Sequence, residues 1–72
     1  MFTVYRNGMN NLGIYESKQE AIRALENDVR EISDINGIPI SKVFSKTAEG
    51  ITVIIYQYST LWQEIYTIFE DM

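Results

Sequence analysis

The sequence predicts an α+β fold, an antiparallel sheet of four strands packed with helices in the order β-β-α-β-β-α. Short stretches of alternating apolar and polar residues, separated by turns that contain Gly and Asn, indicate strands joined in hairpins. Apolar residues at helical spacing behind a capping box indicate a helix between the two hairpins. With 72 residues the chain has room for one domain, which we expect to span residues 1–72.

The first hairpin is predicted near the start of the chain. The stretch from Phe2 to Arg6 alternates, with Val4 on the same face as Phe2. Residues 7–11 (Asn-Gly-Met-Asn-Asn) are turn material, because Gly and Asn tolerate the positive φ of tight reversals. The stretch from Leu12 to Glu16 then reads as the second strand.

The first helix is predicted by its two ends and by its apolar stripe. Ser17 and Glu20 have the spacing of a capping box, in which the serine hydroxyl accepts from the amide three residues later. Asn36 and Gly37, followed by Pro39, form a stop signal. One face of the predicted helix is apolar and consists of Ala21, Ile22, Leu25, Val29 and Ile32.

A second hairpin is predicted from Lys42 to Thr47 and from Ile51 to Tyr58, with its turn near residues 48–50. The second of these strands is β-branched or aromatic almost throughout and is apolar on both sides. Such a strand usually lies centrally in a sheet, with something covering each face. One side consists of Ile51, Val53 and Ile55, and the other of Ile54, Tyr56 and Tyr58.

The C-terminal segment favours a second helix over a fifth strand. Apolar residues fall at helical spacing, and strand alternation fails because Ile65 and Tyr66, like Ile68 and Phe69, are adjacent apolar pairs. Ser59 or Thr60 would cap this helix. Its apolar stripe would consist of Leu61, Ile65, Ile68 and Met72.

One amphipathic helix covers only one face of a sheet. We expect the first helix to meet Phe2, Val4, Leu12, Ile14, Val53 and Ile55. The other face would then carry Tyr5, Tyr15, Ile54, Tyr56 and Tyr58. A bare patch of this kind would exceed the few hundred Å² that a monomer tolerates. We therefore expect the C-terminal helix, a second copy of the chain or a ligand to cover it.

Composition excludes several kinds of chemistry. The chain has no Cys and no His, which removes disulfides, thiolate catalysis and the usual general base. It has no Gly-rich phosphate loop, nucleophile elbow or HExxH motif. We therefore expect neither an enzyme nor a site for a metal, a cofactor or a small-molecule substrate. The net charge of −4 argues against a non-specific DNA binder.

The compartment is predicted from segments that the sequence lacks. The first residues have no basic region followed by an apolar one, so they do not resemble a secretory signal. The longest uninterrupted apolar stretch, residues 53–56, is far below the roughly 20 residues that span a bilayer. We expect a cytoplasmic protein without membrane contact. Frequent Ile and Asn codons are typical of an AT-rich bacterial or phage genome.

The leading functional hypothesis is a small acidic protein-binding module. The surplus of apolar and aromatic surface predicts a protein partner or a second copy of the chain as a homodimer. A bacterial or phage regulator or inhibitor of this size would act through such contacts. The predicted protein-binding residues are Trp62, Tyr66, Phe69, Tyr56 and Tyr58.

The alternative hypothesis comes from another class of protein. Aromatic rings on a sheet face can stack on the bases of single-stranded nucleic acid, at about 1 to 3 kcal/mol per base. Alternation places Phe44 on the same side as its neighbouring lysines. The residues of this predicted platform are Tyr5, Tyr15, Tyr56, Tyr58, Phe44, Lys42 and Lys46.

Overall fold

Five antiparallel strands and one helix form the described part of the chain, residues 1–70, in a computed structural model. The strands lie side by side in the order β2-β1-β5-β4-β3. The last strand is therefore the central one, and β2 and β3 form the two edges. The elements are β1 Phe2–Arg6, β2 Asn10–Tyr15, α1 Lys18–Asn36, β3 Lys42–Ala48, β4 Ile51–Ser59 and β5 Trp62–Glu70.

The helix begins and ends where the sequence predicts. The Ser17 hydroxyl accepts a hydrogen bond from the Glu20 amide at 3.1 Å, as in the predicted capping box. At the other end Gly37 adopts the left-handed conformation, with φ of 65°. The Ile38 amide donates to the Ser33 carbonyl at 3.2 Å, which satisfies a carbonyl that the last turn leaves free.

The two predicted hairpins are also confirmed. β2 begins at Asn10 rather than Leu12, so the first loop is shorter than expected. In the second hairpin Ala48 pairs with Ile51. The two residues between them, Glu49 and Gly50, have φ of 51° and 79°. Two consecutive positive φ angles are typical of a type I′ turn, whose twist matches that of the strands.

The predicted second helix is wrong, because residues 62–70 form the central strand β5. This strand pairs with β1 on one side and with β4 on the other. Neighbouring residues of a strand point to opposite faces, so the adjacent apolar pair Ile65 and Tyr66 is compatible with a strand: Tyr66 is buried on the helix side, and Ile65 lies on the other face. β-branched and aromatic residues also favour this pleated geometry. Leu61 lies at the exposed tip of the β4–β5 hairpin, and Met72 lies outside the described residues.

α1 packs on one face of the sheet, over β2, β1 and β5. The helix contributes three buried side chains of the predicted stripe, and Ile22 and Ile32 pack beside them. The sheet contributes the remainder of the core. The buried core residues are Val4, Ala21, Leu25, Val29, Ile54, Tyr56, Tyr58, Tyr66 and Ile68.

The predicted assignment of β4 to the two faces is wrong. Ile54, Tyr56 and Tyr58 lie under α1, whereas Val53 and Ile55 lie on the opposite face. Both sides of β4 are apolar, so alternation alone could not decide between them. The pairing with β5 decides it, since Ile54 lies beside the fully buried Tyr66.

The predicted faces of Ile14 and Tyr15 are wrong because β2 contains a β-bulge. Val4 pairs with Gly13 and Tyr5 pairs with Asn11, so Leu12 has no partner on β1. The extra residue allows Leu12 to pack against the core although it is two residues from Ile14. Ile14 lies on the opposite face and Tyr15 packs against the core.

A cluster around one carboxylate joins the helix to the sheet. The Arg6 guanidinium on β1 donates to both oxygens of Asp28 on α1, at 3.0 and 2.9 Å. The Tyr66 hydroxyl on β5 donates to Asp28 Oδ2 at 2.7 Å. Hydrogen bonds to charged groups are among the stronger ones in proteins. Asp28 therefore fixes α1 over β1 and β5.

No helix within the described residues has the length and apolarity that crossing a membrane requires.

The Tyr66→Phe substitution tests the Asp28 cluster. We expect the free energy of unfolding to fall by about 1 to 3 kcal/mol, because the substitution removes a donor to a charged acceptor. Tyr58→Phe is the matched control, since within residues 1–70 its buried hydroxyl has no hydrogen-bond partner. Urea denaturation should show a change of less than about 0.5 kcal/mol for the control. Equal losses in the two variants would contradict this view of the cluster.

Buried tyrosines predict that stability falls in alkaline solution. Burial raises the pKa of Tyr66, and its hydrogen bond to Asp28 raises it further. The folded state therefore keeps the proton that the unfolded chain releases above pH 10.0, the ordinary value. Full stability is present below that pH, and above it the free energy of unfolding should fall by about 1.4 kcal/mol per pH unit for this residue. Urea midpoints measured across that range should decline less steeply in Tyr66→Phe.

Candidate protein-binding surface

The face of the sheet opposite α1, which we call the open face, is covered by no other element within residues 1–70. Its central positions come from alternate residues of β1, β5 and β4, and its margins from the edge strands β2 and β3. Paired residues of neighbouring strands share a face, so the register defines the surface. The open face contains the apolar residues Tyr5, Ile14, Phe44, Ile51, Val53, Ile55, Ile65 and Phe69, the polar residues Thr3, Gln57, Gln63 and Thr67, and the lysines Lys42 and Lys46.

The apolar residues of the open face form rows across the strands. Phe44 pairs with Ile55, which pairs with Ile65 on β5. In a parallel row Ile51 pairs with Phe69. Phe44, Ile51 and Phe69 are 52%, 40% and 38% exposed, respectively. The open face is therefore a largely apolar surface in contact with solvent, with Thr67 in the row between these two.

Two shallow depressions give this surface relief. One, of about 550 Å³, is lined by Phe44, Val53 and Ile55 and by the turn residue Glu49. The other, of about 500 Å³, lies between β1 and β5. Its wall includes Tyr5 and Phe69, whose rings meet edge to face with centroids 5.8 Å apart. Concave sites between aromatic rings can receive apolar side chains of a partner.

The open face differs in charge from the rest of the molecule. Lys42 and Lys46 pair with Gln57 and Val53, respectively, so both belong to this face. No acidic residue occupies an open-face position of the five described strands. The chain as a whole carries a net charge of −4. An acidic protein thus has an apolar surface with a basic margin along β3.

The structure separates the predicted protein-binding residues. Tyr56, Tyr58 and Tyr66 are buried under α1. Trp62 is half-buried and stacks on Tyr58, with ring centroids 4.4 Å apart. Phe69 lies on the open face. The helical period grouped residues 62, 66 and 69, whereas the strand period places Tyr66 and Phe69 on opposite faces.

The residues of the predicted nucleic-acid platform are divided in the same way. Tyr15, Tyr56 and Tyr58 lie on the side of the helix and pack in or against the core. The remaining members, Tyr5, Phe44, Lys42 and Lys46, lie on the open face. Alternation in the β3 sequence had correctly placed the two lysines beside Phe44.

Sequence reasoning missed Ile51 and Ile65 as surface candidates and placed Val53 and Ile55 beneath the helix. It also gave no indication that β3 is solvent-exposed along its whole length. The signal that could have revealed both features was the β-branched content of residues 62–70. A prediction of a fifth, central strand would have made β3 an edge strand. It would also have left a five-stranded sheet with only one helix to cover it.

The described residues bring together no group of three or more side chains suited to binding a metal ion. Comparison of the chain with protein-family models, curated proteins and solved structures finds no match.

Proposed function

We propose that this chain is a protein-binding module that contacts its partner through the open face. The observation that carries the proposal is the exposure of Phe44, Ile51 and Phe69 on one continuous face opposite α1. Large contiguous apolar patches on small proteins mark interaction sites. Aromatic residues such as Phe44 and Phe69 are enriched in binding interfaces.

The size of the open face supports this proposal. β4 and β5 each have nine residues. With a rise of about 3.3 Å per residue and about 4.8 Å between strands, the face measures about 30 by 20 Å. That area of about 600 Å² is close to the roughly 800 Å² per partner that a standard interface buries. A partner would need no large rearrangement of this chain in order to bind.

Charge indicates the chemistry of the partner. Lys42 and Lys46 lie along one margin of the open face, beside Phe44 and Val53. A complementary surface would have an apolar centre and carboxylates opposite β3. Complementary charges at a rim mainly accelerate association and select the partner. We therefore propose an acidic, apolar protein surface as the ligand, bound in the cytoplasm of a bacterium or a phage-infected cell.

Substitutions on the open face test the proposal. Phe44→Glu and Ile51→Glu alter exposed positions, so we expect little change in stability. In affinity capture from a lysate of the native host, we expect the amount of specifically bound protein to fall at least about tenfold, because the new carboxylate replaces an apolar contact and repels the acidic partner. Leu61→Glu is the matched control, since Leu61 is 98% exposed at a hairpin tip away from this face.

The proposal fails if the same protein is captured equally by the wild type and by both open-face variants. It also fails if Leu61→Glu loses the captured protein to the same extent. Thermal unfolding of each variant, followed by circular dichroism, separates loss of binding from loss of folding.

Single-stranded nucleic acid is a second candidate ligand, favoured by the position of Phe44 between Lys42 and Lys46 on one face. Binding would require stacking on Phe44 and Tyr5 and phosphate contacts to the lysines. Fluorescence anisotropy with labelled oligo(dT) and oligo(U) at about 20 mM salt tests it, since phosphate contacts weaken as salt rises. Binding that is lost in Phe44→Ala and at high salt would support this candidate. Absence of binding at low salt would eliminate it.

A further inference from the structure

The strand β3 is an exposed sheet edge that carries two lysines, Lys42 and Lys46, and has no β-bulge against β4. Its seven residues are all exposed, and it contains no proline. Val43 and Phe44, which lie on opposite faces of the strand, are 54% and 52% exposed. A regular, exposed edge strand with apolar side chains presents unpaired backbone groups to another strand.

Exposed apolar side chains are concentrated around this edge. Of the eleven large hydrophobic residues that are exposed among residues 1–70, six lie between residues 35 and 51. They lie on the end of α1, on the approach to β3 and on the β3–β4 hairpin. These residues are Ile35, Ile38, Ile40, Val43, Phe44 and Ile51.

The hydrogen-bond pattern identifies the free backbone groups of β3. The Glu70 amide donates to the Gly50 carbonyl at 2.9 Å, so even-numbered residues of β4 bond to β5 and odd-numbered ones bond to β3. Ile51 therefore bonds to Ala48 across the two-residue turn. By the same alternation, the amides and carbonyls of Val43, Ser45 and Thr47 point away from β4, toward the free edge.

We propose that two copies of the chain pair through β3, antiparallel and centred on Ser45, to form one continuous sheet. This inference concerns the free edge and goes beyond the proposed function, which uses the open face. Ser45 is the midpoint of β3, so only this register pairs all seven residues of one copy with all seven of the other. Val43 then bonds to Thr47 of the second copy, through backbone groups that point away from β4.

Charge complementarity supports this register. It places Lys46 directly opposite Phe44 of the second copy on the open-face side, where an ammonium group can lie against an aromatic ring. It places Lys42 opposite Ala48 and beside Glu49 of the second copy. Each lysine of β3 thereby gains a favourable neighbour, and no two like charges are opposed.

Neighbouring registers lack these contacts. Centring the pair on Phe44 would place Lys42 directly opposite Lys46 of the second copy. Centring it on Lys46 would place Lys46 of one copy directly opposite Lys46 of the second copy. Like charges directly across a strand pair are destabilising. Pairing centred on Ser45 also joins the two open faces into one surface on the same side of the sheet.

Sedimentation equilibrium at protein concentrations from about 10 µM to about 1 mM tests the proposal, since interfaces of this small size are often weak. We expect the wild-type mass to rise with concentration from 8.4 kDa toward twice that value. Ser45→Pro should stay monomeric, because it removes the central amide at the free edge, and edge strands tolerate proline where the amide faces solvent. Ser45→Thr is the matched control and should associate like the wild type.

Charge exchange tests the register itself. Phe44→Lys should remain monomeric, because it opposes a lysine to Lys46 of the second copy. Adding Lys46→Glu to that variant should restore association. Phe44→Glu should associate, since its carboxylate would face Lys46, although the same variant is expected to lose capture of a protein at the open face. The two proposals can therefore fail separately.

A monomeric wild type at every concentration would overturn the inference, as would a Ser45→Pro variant that is folded and still dimeric. Association of Phe44→Lys equal to that of the wild type would overturn the register. Urea denaturation of each variant shows whether a monomeric result comes from a folded chain.

Discussion

The Asp28 carboxylate is the point on which the arrangement of the two layers depends. Arg6 and Tyr66 both donate to it, from β1 and β5, and their strands lie next to each other in the sheet. The helix is thereby held over β2, β1 and β5, toward one side of the sheet. One helix placed in this way leaves β3 exposed, and because the described residues contain no second helix, the open face on the other side of the sheet is uncovered as well.

Local chemistry made much of the fold predictable. The ends of α1 depend on Ser17, Glu20 and Gly37, whose side chains or backbone freedom act within a few residues. The hairpin turn at Glu49 and Gly50 depends on equally local preferences. Residues 62–70 could not be assigned in this way. Their adjacent apolar pairs fit a helix or a central strand, and pairing with β1 and β4, which are distant in sequence, decides between the two.

The candidate surface was harder to predict than the fold. The sequence indicated more apolar surface than one helix covers, and the exposed Phe44, Ile51 and Phe69 agree with that expectation. It did not indicate which rings were involved. A strand such as β4, apolar on both sides, gives no signal for its inner face, and the bulge at Leu12 changes the faces of β2. The tyrosines predicted to form the binding surface, Tyr56, Tyr58 and Tyr66, therefore belong to the core.

The position of β5 in the sheet has a consequence for how the protein is made. The β1–β2–α1 part and the β3–β4 hairpin are joined in the sheet only through residues 62–70, which pair with both. A ribosome delivers those residues after all the others that they bring together. The nascent chain therefore cannot complete its sheet during synthesis of the first 61 residues. Until residues 62–70 emerge, the two parts stay unjoined, and their unpaired strand edges are open to aggregation.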